Sequence, residues 1–237
     1  MLILAFETTA KAGSVALLED GKLLAESYQN TGLTHSQTLM VIAEDMLKAA
    51  GKTMADVNAV AVAEGPGSFT GVRIGVAAAK GLAWGAELPC YGVSTLESMA
   101  LTLGIYEGYV CACMDARRNQ VYNALFYVNR GVMERYSEDR AIALSDLKTE
   151  LEHLDGPIFL VGDGSNLTHS TLKEAIPELI LPPEHRMHQR ASGVALAAVK
   201  KITAGDPGDA AAMTPNYLRL SQAERERMEK MNKTGSP

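Results

Sequence analysis

Hydrophobic and polar residues alternate in blocks along the chain, and these blocks predict a succession of strands and helices. The apolar run over residues 2–6 predicts a buried strand, which ends at the polar turn Glu7-Thr8-Thr9. Asp20-Gly21 lies between the runs 14–19 and 22–28, and this pattern is typical of a β-hairpin. Three strands are therefore expected to open the chain.

The next blocks predict helices and strands in alternation. Thr34-His35-Ser36-Gln37 has the pattern of a capping box, and apolar residues then recur at helical spacing until Gly51. The order β-β-β-α-β-α-β-α that results is that of a ribonuclease-H-like domain. Its later elements are a strand over 57–63, a helix over 72–85 with Thr70 as its N-cap, a strand over 90–93, and a helix from a second capping box, Ser94-Thr95-Leu96-Glu97.

The pattern starts again near Gly108, where residues 109–114 predict a buried strand that ends in Asp115, as the first strand ends in Glu7. Such internal duplication is typical of the actin-like (ASKHA) fold, whose ligands lie in the cleft between the halves. The remaining predicted elements are strands over 121–128, 132–136 and 158–161, helices over 145–154 and 190–204 (the latter capped by Ser192), a Gly-rich turn over 162–165, and a docked extended segment over 215–219.

We therefore predict an α/β chain with an actin-like fold, built from two duplicated ribonuclease-H-like domains. The predicted domains cover residues 1–105 and 106–220. Residues 221–237 form a charged stretch with little apolar face, which we expect to be a mobile tail.

The composition excludes several classes of protein. Of the 237 residues, 47% are hydrophobic and 21% are charged, with a net charge of −6. The acidic balance argues against binding nucleic acid through the whole surface, and an aromatic content of 5% argues against a base-stacking platform. Three cysteines give no disulfide framework. We find neither an apolar run of membrane-spanning length nor a signal-peptide pattern, so we expect a soluble cytoplasmic protein.

The most distinctive stretch is Glu64-Gly65-Pro66-Gly67-Ser68-Phe69-Thr70-Gly71-Val72-Arg73-Ile74-Gly75. It joins a predicted strand to a predicted helix, an arrangement that presents backbone N–H groups and the positive end of the helix dipole to an anion. Its spacing is neither that of a Rossmann fingerprint nor that of a Walker loop. The alternative is a tight turn that needs positive φ at two or three glycines. Both interpretations stay open at this point.

A vestigial nucleotide site is predicted around this stretch, with no bound cofactor or metal and no catalytic residue. Its candidate residues are Glu7, Gly65, Gly67, Ser68 and Thr70. Glu7 ends a strand at the mouth of the predicted α/β sheet. In phosphotransferases a carboxylate at this position holds Mg²⁺ through water. Asp115 with Arg117 and Arg118 is either a phosphate or substrate clamp or a salt-bridged turn.

The helices over 36–50 and 72–85 are the best candidates for a partner surface. Small residues along the second helix allow another element to approach closely. The alternative is that both helices merely cover the sheet. The candidate interface residues are His35, Leu39, Ile42, Met46, Arg73, Val76 and Lys80.

These motifs resemble those of the TsaB (YeaZ) family, whose bacterial members take part in making N6-threonylcarbamoyladenosine on tRNA. The resemblance spans nearly the whole chain, and the Gly-rich stretch is highly specific. It implies an actin-like fold and kinship with the catalytic subunit TsaD. The matching segments are residues 2–9, 64–75, 89–96, 115–117 and 215–219.

The resemblance also implies a chain without a catalytic metal. In TsaD the segment after the corresponding strand carries an HxxxH metal pair, and here Thr95 and Met99 occupy the histidine positions. A hydroxyl and a thioether are weak, mismatched ligands for such a metal. The implied role is a noncatalytic scaffold for TsaD and the ATPase TsaE. Such a scaffold self-associates through the same helices when alone and reaches tRNA only indirectly.

Two enzymatic alternatives compete with this interpretation. An actin-like ATPase or small-molecule kinase would place a nucleotide between Glu7, the loop over 65–71 and the turn over 162–164. A metalloprotease would hold stoichiometric zinc or iron. The residues at positions 95 and 99 make the second alternative implausible.

Overall fold

Two β-sheets organise the chain, which a computed structural model describes over residues 1–32, 34–105 and 107–219. The strands of the first sheet are β1 (Leu2–Glu7), β2 (Gly13–Glu19), β3 (Lys22–Gln29), β4 (Ala59–Gly65) and β5 (Cys90–Ser94). They lie in the order β3-β2-β1-β4-β5. The helices between them are α1 (His35–Ala49), α2 (Phe69–Gly85) and α3 (Thr95–Leu103), and a short 3₁₀ turn covers Met54–Asp56.

The second sheet repeats this plan. Its strands are β6 (Gly108–Asp115), β7 (Gln120–Asn129), β8 (Val132–Arg135), β9 (Arg140–Ala143), β10 (Ile158–Val161) and β11 (Leu179–Ile180). Five of them lie in the order β11-β10-β6-β7-β8, and β9 pairs with β7. The helices that follow are α4 (Leu144–Leu151), α5 (Ser165–Leu172), α6 (Glu184–Met187) and α7 (Ala191–Thr203).

The predicted actin-like fold, with two duplicated ribonuclease-H-like halves, is confirmed. In the first sheet an antiparallel meander, β1-β2-β3, is extended by the parallel strands β4 and β5. In the second sheet the meander β6-β7-β8 is extended in the same way by β10 and β11. We call the first sheet with α1, α2, α3 and α7 the first unit, because α7 packs on that sheet, and the second sheet with α4, α5 and α6 the second unit.

The first sheet is buried on both faces, which explains why β1 is apolar at every position before Glu7. Leu2, Leu4 and Phe6 face the core that contains α1 and α2. Ile3 and Ala5 face the opposite core, whose helix is α7. Thus a helix from the end of the described chain packs on the sheet formed at its beginning. The division between residues 105 and 106 stays a prediction, and the predicted tail over 221–237 lies outside the described residues.

The small residues of α7 allow this helix to lie close to its neighbours. Ala191, Ala195 and Ala198 are buried in the core against the first sheet. Gly193 faces α3 so closely that a Cβ there would overlap the Ser98 carbonyl oxygen and the Thr102 hydroxyl. α7 therefore packs at once on the first sheet and on α3.

Two helix caps differ from the prediction, and at one of them a side chain distant in sequence takes part. The N-cap of α2 is Ser68, whose hydroxyl accepts the Gly71 N–H at 3.3 Å, so the prediction of Thr70 is wrong. The N-cap of α7 is Arg190, and no side chain of the helix caps it. Ser192 instead donates its N–H to a Glu26 carboxylate oxygen at 2.9 Å. An acid on β3 thus satisfies a free donor at the start of α7.

The two predicted capping boxes also formed incompletely. Thr34 is the N-cap of α1 but makes no side-chain bond there, and only its carbonyl accepts the Gln37 N–H. Ser94 caps α3 by accepting the Glu97 N–H at 3.2 Å. The Glu97 side chain is bound instead to Arg135 and Lys200. The short elements β9, β11, α5 and α6 had no clear sequence signal.

No helix in the described ranges is both long enough and apolar enough to cross a membrane.

Candidate functional site

A cleft of about 690 Å³ lies between the two units. Residues from both units line it, together with the segment that follows α7. The lining residues include Thr9 and Lys11 after β1, Gly67 to Gly71 at the start of α2, Asp115 to Arg117 after β6, Asp163 after β10, and Asn216 to Arg219. Four of the five segments that carry the family resemblance therefore meet here, although they are far apart in sequence.

The glycines of the distinctive stretch are explained mainly by close packing. A Cβ at Gly67 would overlap the Thr9 carbonyl oxygen, and one at Gly71 would overlap the carbonyl oxygen of Thr8. Among the glycines from 65 to 75, positive φ is found at Gly65 alone, at +126°. The expectation of positive φ at two or three glycines is therefore wrong. The glycines let the start of α2 lie directly on the Thr8-Thr9 turn.

Hydrogen bonds complete this contact between α2 and the turn. The Ser68 N–H donates to the Thr9 carbonyl at 2.6 Å, and the Thr8 hydroxyl donates to the Gly71 carbonyl at 2.7 Å. Two N–H groups at the start of α2, those of Ser68 and Gly71, are thus bonded within the protein. Gly67, Ser68 and Thr70 do line the cleft, as a nucleotide site requires, whereas Gly65 and Glu7 do not.

Glu7 is completely buried behind the cleft wall. Burial raises the pKa of its carboxyl to about 7, although hydrogen bonds from Thr9 oppose the shift. The Thr9 N–H and hydroxyl both donate to one carboxyl oxygen at 2.6 Å. The other oxygen, Oε2, has no partner among the described residues. A carboxyl in this environment orders the turn after β1, and it does not face the cleft.

Two acids at the cleft belong to the second unit. Asp115 accepts the Arg117 N–H at 2.7 Å and its guanidinium at 3.1 Å, which is the salt-bridged turn that the sequence left as one alternative. Asp163 lies in the cleft, where contact with water is reduced and the pKa of its carboxyl is raised. Gln189 donates to Asp163 at 3.4 Å.

Thr95 and Met99 both lie on α3, and Met99 belongs to the core between α3 and the second sheet. Both are fully buried. Met99 packs with Leu96 of the same helix and with Val110 and Phe126 of the second sheet. Neither residue lines the cleft. Within the described ranges we find no group of three or more His, Cys, Asp or Glu side chains placed to hold a metal ion.

Several of the residues predicted to form the partner surface are buried beneath α1 and α2. Leu39, Met46 and Val76 belong to the core beneath the helices, and Ile42 packs at its edge, so a partner cannot reach the first three. Burial on the sheet was the alternative interpretation. His35 is bound to the Ala10 carbonyl at 2.9 Å.

The exposed face of these helices is formed by other residues. Val41 on α1 is 57% exposed and Trp84 on α2 is 75% exposed, and Met40 is also exposed. Arg73 lies on the exposed side of α2. Lys80 is partly covered, because it donates to the Met213 carbonyl at 2.9 Å. Periodicity predicted apolar helices here, but it did not show which apolar residues the sheet would leave uncovered.

Residues 213–219 form a strap along the cleft, as the predicted docked segment suggested. Met213 is buried in the core beneath α2. The Asn216 N–H donates to the Glu64 carbonyl at 2.7 Å. Gly65 is required here, since a Cβ on it would overlap the Asn216 carbonyl oxygen. The strap is therefore fixed on the first unit before it reaches the cleft.

Comparisons with known proteins agree with one another. The family model described as TsaD, tRNA N6-adenosine threonylcarbamoyltransferase, matches residues 29–227. The tRNA threonylcarbamoyladenosine biosynthesis protein TsaB of Bacillus subtilis (strain 168) is 32% identical over 225 residues, which cover 94% of this chain and 96% of the relative. TsaB of Escherichia coli (strain K12) is 40% identical over 167 residues, 69% of this chain and 72% of the relative.

A solved structure extends the similarity to three dimensions. It is that of an uncharacterized protein from Pseudomonas aeruginosa with similarity to peptidase YeaZ. The superposition has a TM-score of 0.76 at 27% sequence identity, and it covers 92% of this chain and 99% of that chain.

Proposed function

Because the chain belongs to the TsaB (YeaZ) family of tRNA threonylcarbamoyladenosine biosynthesis proteins, we propose that it is a noncatalytic subunit. In this proposal it supports a TsaD-like transferase, together with a TsaE-like ATPase, in forming N6-threonylcarbamoyladenosine next to the anticodon of tRNA. It would act in the cytoplasm, where it would contact tRNA only indirectly. Indirect contact with tRNA agrees with the chain's net charge of −6.

The observation that carries the proposal is the burial of Thr95 and Met99. The family resemblance equates these positions with a pair of metal-binding histidines in TsaD. Here both side chains are fully buried, and neither lines the cleft. Their hydroxyl and thioether groups are also poor ligands for a catalytic metal. A chain that keeps the fold and replaces the ligands with core residues is suited to a structural role.

The exposed face of α1 and α2 is the surface that we propose for the partner. Trp84 on α2 is 75% exposed, and Met40 and Val41 on α1 are also exposed; such side chains are costly to leave in water and are typical anchors of an interface. A second copy of the chain would use the same face, so homodimer and heterodimer would compete.

The first experiment is reconstituted tRNA modification with a TsaD-like subunit, a TsaE-like ATPase and threonylcarbamoyl-adenylate, with and without this chain. We expect modification to require the chain, whereas the chain alone should transfer nothing. Transfer by the chain alone would contradict the noncatalytic role.

Matched variants test the surface. Val41→Glu places a charge on the exposed face of α1, and Val132→Glu places the same charge on β8, where the valine is 63% exposed. We expect the first variant to lose binding to the TsaD-like subunit in titration calorimetry and the second to keep it. Equal binding by both variants would show that the partner docks elsewhere.

The cleft favours a second candidate function, an actin-like ATPase or small-molecule kinase. The start of α2 and polar residues from both units surround its volume of about 690 Å³. Calorimetry with ATP and Mg²⁺ separates the two functions, because a kinase must bind its nucleotide in the range of about 1 μM to 1 mM. A phosphorylated product formed by the chain alone would favour this candidate.

A further inference from the structure

The strap ends in a bond to the opposite wall of the cleft. The Arg219 guanidinium donates to the Ala116 carbonyl at 2.6 Å, and Ala116 lies in the turn between β6 and β7 of the second unit. Among the hydrogen bonds of the described residues, this is the strap's one bond to that unit. A hydrogen bond with a charged donor is stronger than a neutral one. The strap therefore joins the two sides of the cleft at its rim.

The other connection between the units lies away from the cleft. α3 packs against strands of both sheets, and Glu97 on α3 binds Arg135 of the second unit at 3.3 Å. Ser94 also donates to Asp139 of the second unit. No residue of α3 lines the cleft. The units are thus held by a packed core on one side and by the strap on the other, an arrangement in which the core is a pivot.

The strap also contacts the exposed side of α2. The ring of Tyr217 stacks on Phe69 with 4.3 Å between centroids. The Arg73 guanidinium lies 3.9 Å from the Phe69 centroid, and its Nε–H donates to the Tyr217 hydroxyl at 2.8 Å. Arg73 is exposed on the helix that also carries Trp84. One arginine therefore touches both the proposed partner face and the strap.

We propose that the strap is a latch that holds the cleft closed, and that the Arg73–Tyr217 contact couples this latch to the partner face of α2. The latch follows from the contacts within the chain, whereas the coupling rests on the proposed function. A partner that binds Arg73 changes the free energy of its bond to Tyr217. If the Arg73–Tyr217 contact has different free energies in the open and closed cleft, linkage requires that the same partner shift the equilibrium between them.

The latch is tested first in the isolated chain by hydrogen exchange of backbone amides. Arg219→Met removes the donor, and Arg219→Lys keeps the charge and one donor group. We expect Arg219→Met to raise exchange in residues 116–120 about tenfold, because a hydrogen bond from a charged group is lost. Arg219→Lys should have a smaller effect, and α7 should be unchanged in both. Exchange in Arg219→Met equal to that of the unaltered chain would overturn the latch.

The coupling is tested by adding a TsaD-like subunit to the full chain. Tyr217→Phe removes the hydroxyl that accepts from Arg73 and keeps the ring on Phe69. We expect the partner to change exchange across residues 116–120 in the unaltered chain, and to change it several-fold less in Tyr217→Phe, at equal occupancy. An identical change in both chains would overturn the coupling.

Failure of this inference is distinguishable from failure of the proposed function. If the TsaD-like subunit does not bind the unaltered chain, the proposed function and the coupling are overturned, while the measurement on the isolated chain still decides the latch. If the subunit binds and residues 116–120 do not respond, the coupling is overturned and the proposed function stands.

Discussion

The buried carboxyl of Glu7 makes the stability of the fold depend on pH. Burial raises its pKa from the ordinary 4.5 to about 7. The folded chain therefore binds a proton more tightly than the unfolded chain does, and this proton stabilises the fold. The free energy of unfolding should fall as the pH rises from 4.5 to about 7 and should be level above that range, as far as Glu7 is concerned.

The size of the effect follows from the shift. A difference of about 2.5 pKa units, at about 1.4 kcal/mol per unit, amounts to about 3.5 kcal/mol over the whole range. Between about pH 5 and about pH 8 the Glu7 contribution should decrease by about 2.5 kcal/mol, because part of the change occurs below about pH 5. This is a large fraction of the stability of an ordinary domain, which is about 5–15 kcal/mol.

Glu7→Gln isolates this contribution. Glutamine does not titrate, and its carbonyl oxygen can accept both bonds from Thr9 as the carboxyl oxygen does now. Urea unfolding at several pH values should show that the stability of the unaltered chain, relative to Glu7→Gln, falls by about 2.5 kcal/mol between about pH 5 and about pH 8. Glu134→Gln, which changes an exposed carboxyl on β8, is the control. If the two variants and the unaltered chain share one pH profile, Glu7 is not protonated in the fold.

Three substitutions, two on α2 and one on α3, test the packing directly. Gly71→Ala should lower the melting temperature, because the added Cβ overlaps the Thr8 carbonyl oxygen and such overpacking typically costs about 1–3 kcal/mol. Gly81→Ala on the same helix meets no atom within 4 Å and should instead stabilise the chain by about 1 kcal/mol; a loss in both would refute the packing argument. Met99→Ala should cost about 2–5 kcal/mol of unfolding free energy through the cavity it leaves, whereas a neutral result would show that position 99 is loosely packed.

Local patterns in the sequence were sufficient for the architecture. The Asp20-Gly21 hairpin formed as predicted, and strand β10 has the predicted bounds. These elements depend on neighbouring residues, whose alternation and turn chemistry can be read directly. The order of elements then limited the fold to a duplicated actin-like arrangement.

The errors arose where distant residues decide the structure. Glu26, on β3, meets the first turn of α7, and no local pattern near Ser192 shows that an acid will arrive there. Likewise, Gly71 is explained by the Thr8 carbonyl rather than by its own backbone angle. Glu7 has the sequence position of a metal-binding acid, yet its burial is set by elements that surround the end of β1.

The position of α7 has a consequence for the order in which the protein can be completed. During synthesis, the strands of the first sheet leave the ribosome long before residues 191–203 exist. Until then, the face that carries Ile3, Ala5 and Val93 lacks α7, and of the earlier helices α3 contributes Leu101 to it. A nascent chain stopped before α7 would expose an apolar sheet surface, which favours aggregation and recruitment of chaperones. The strands of the first unit are therefore made before those of the second unit, but the first unit is complete only after α7 has been made.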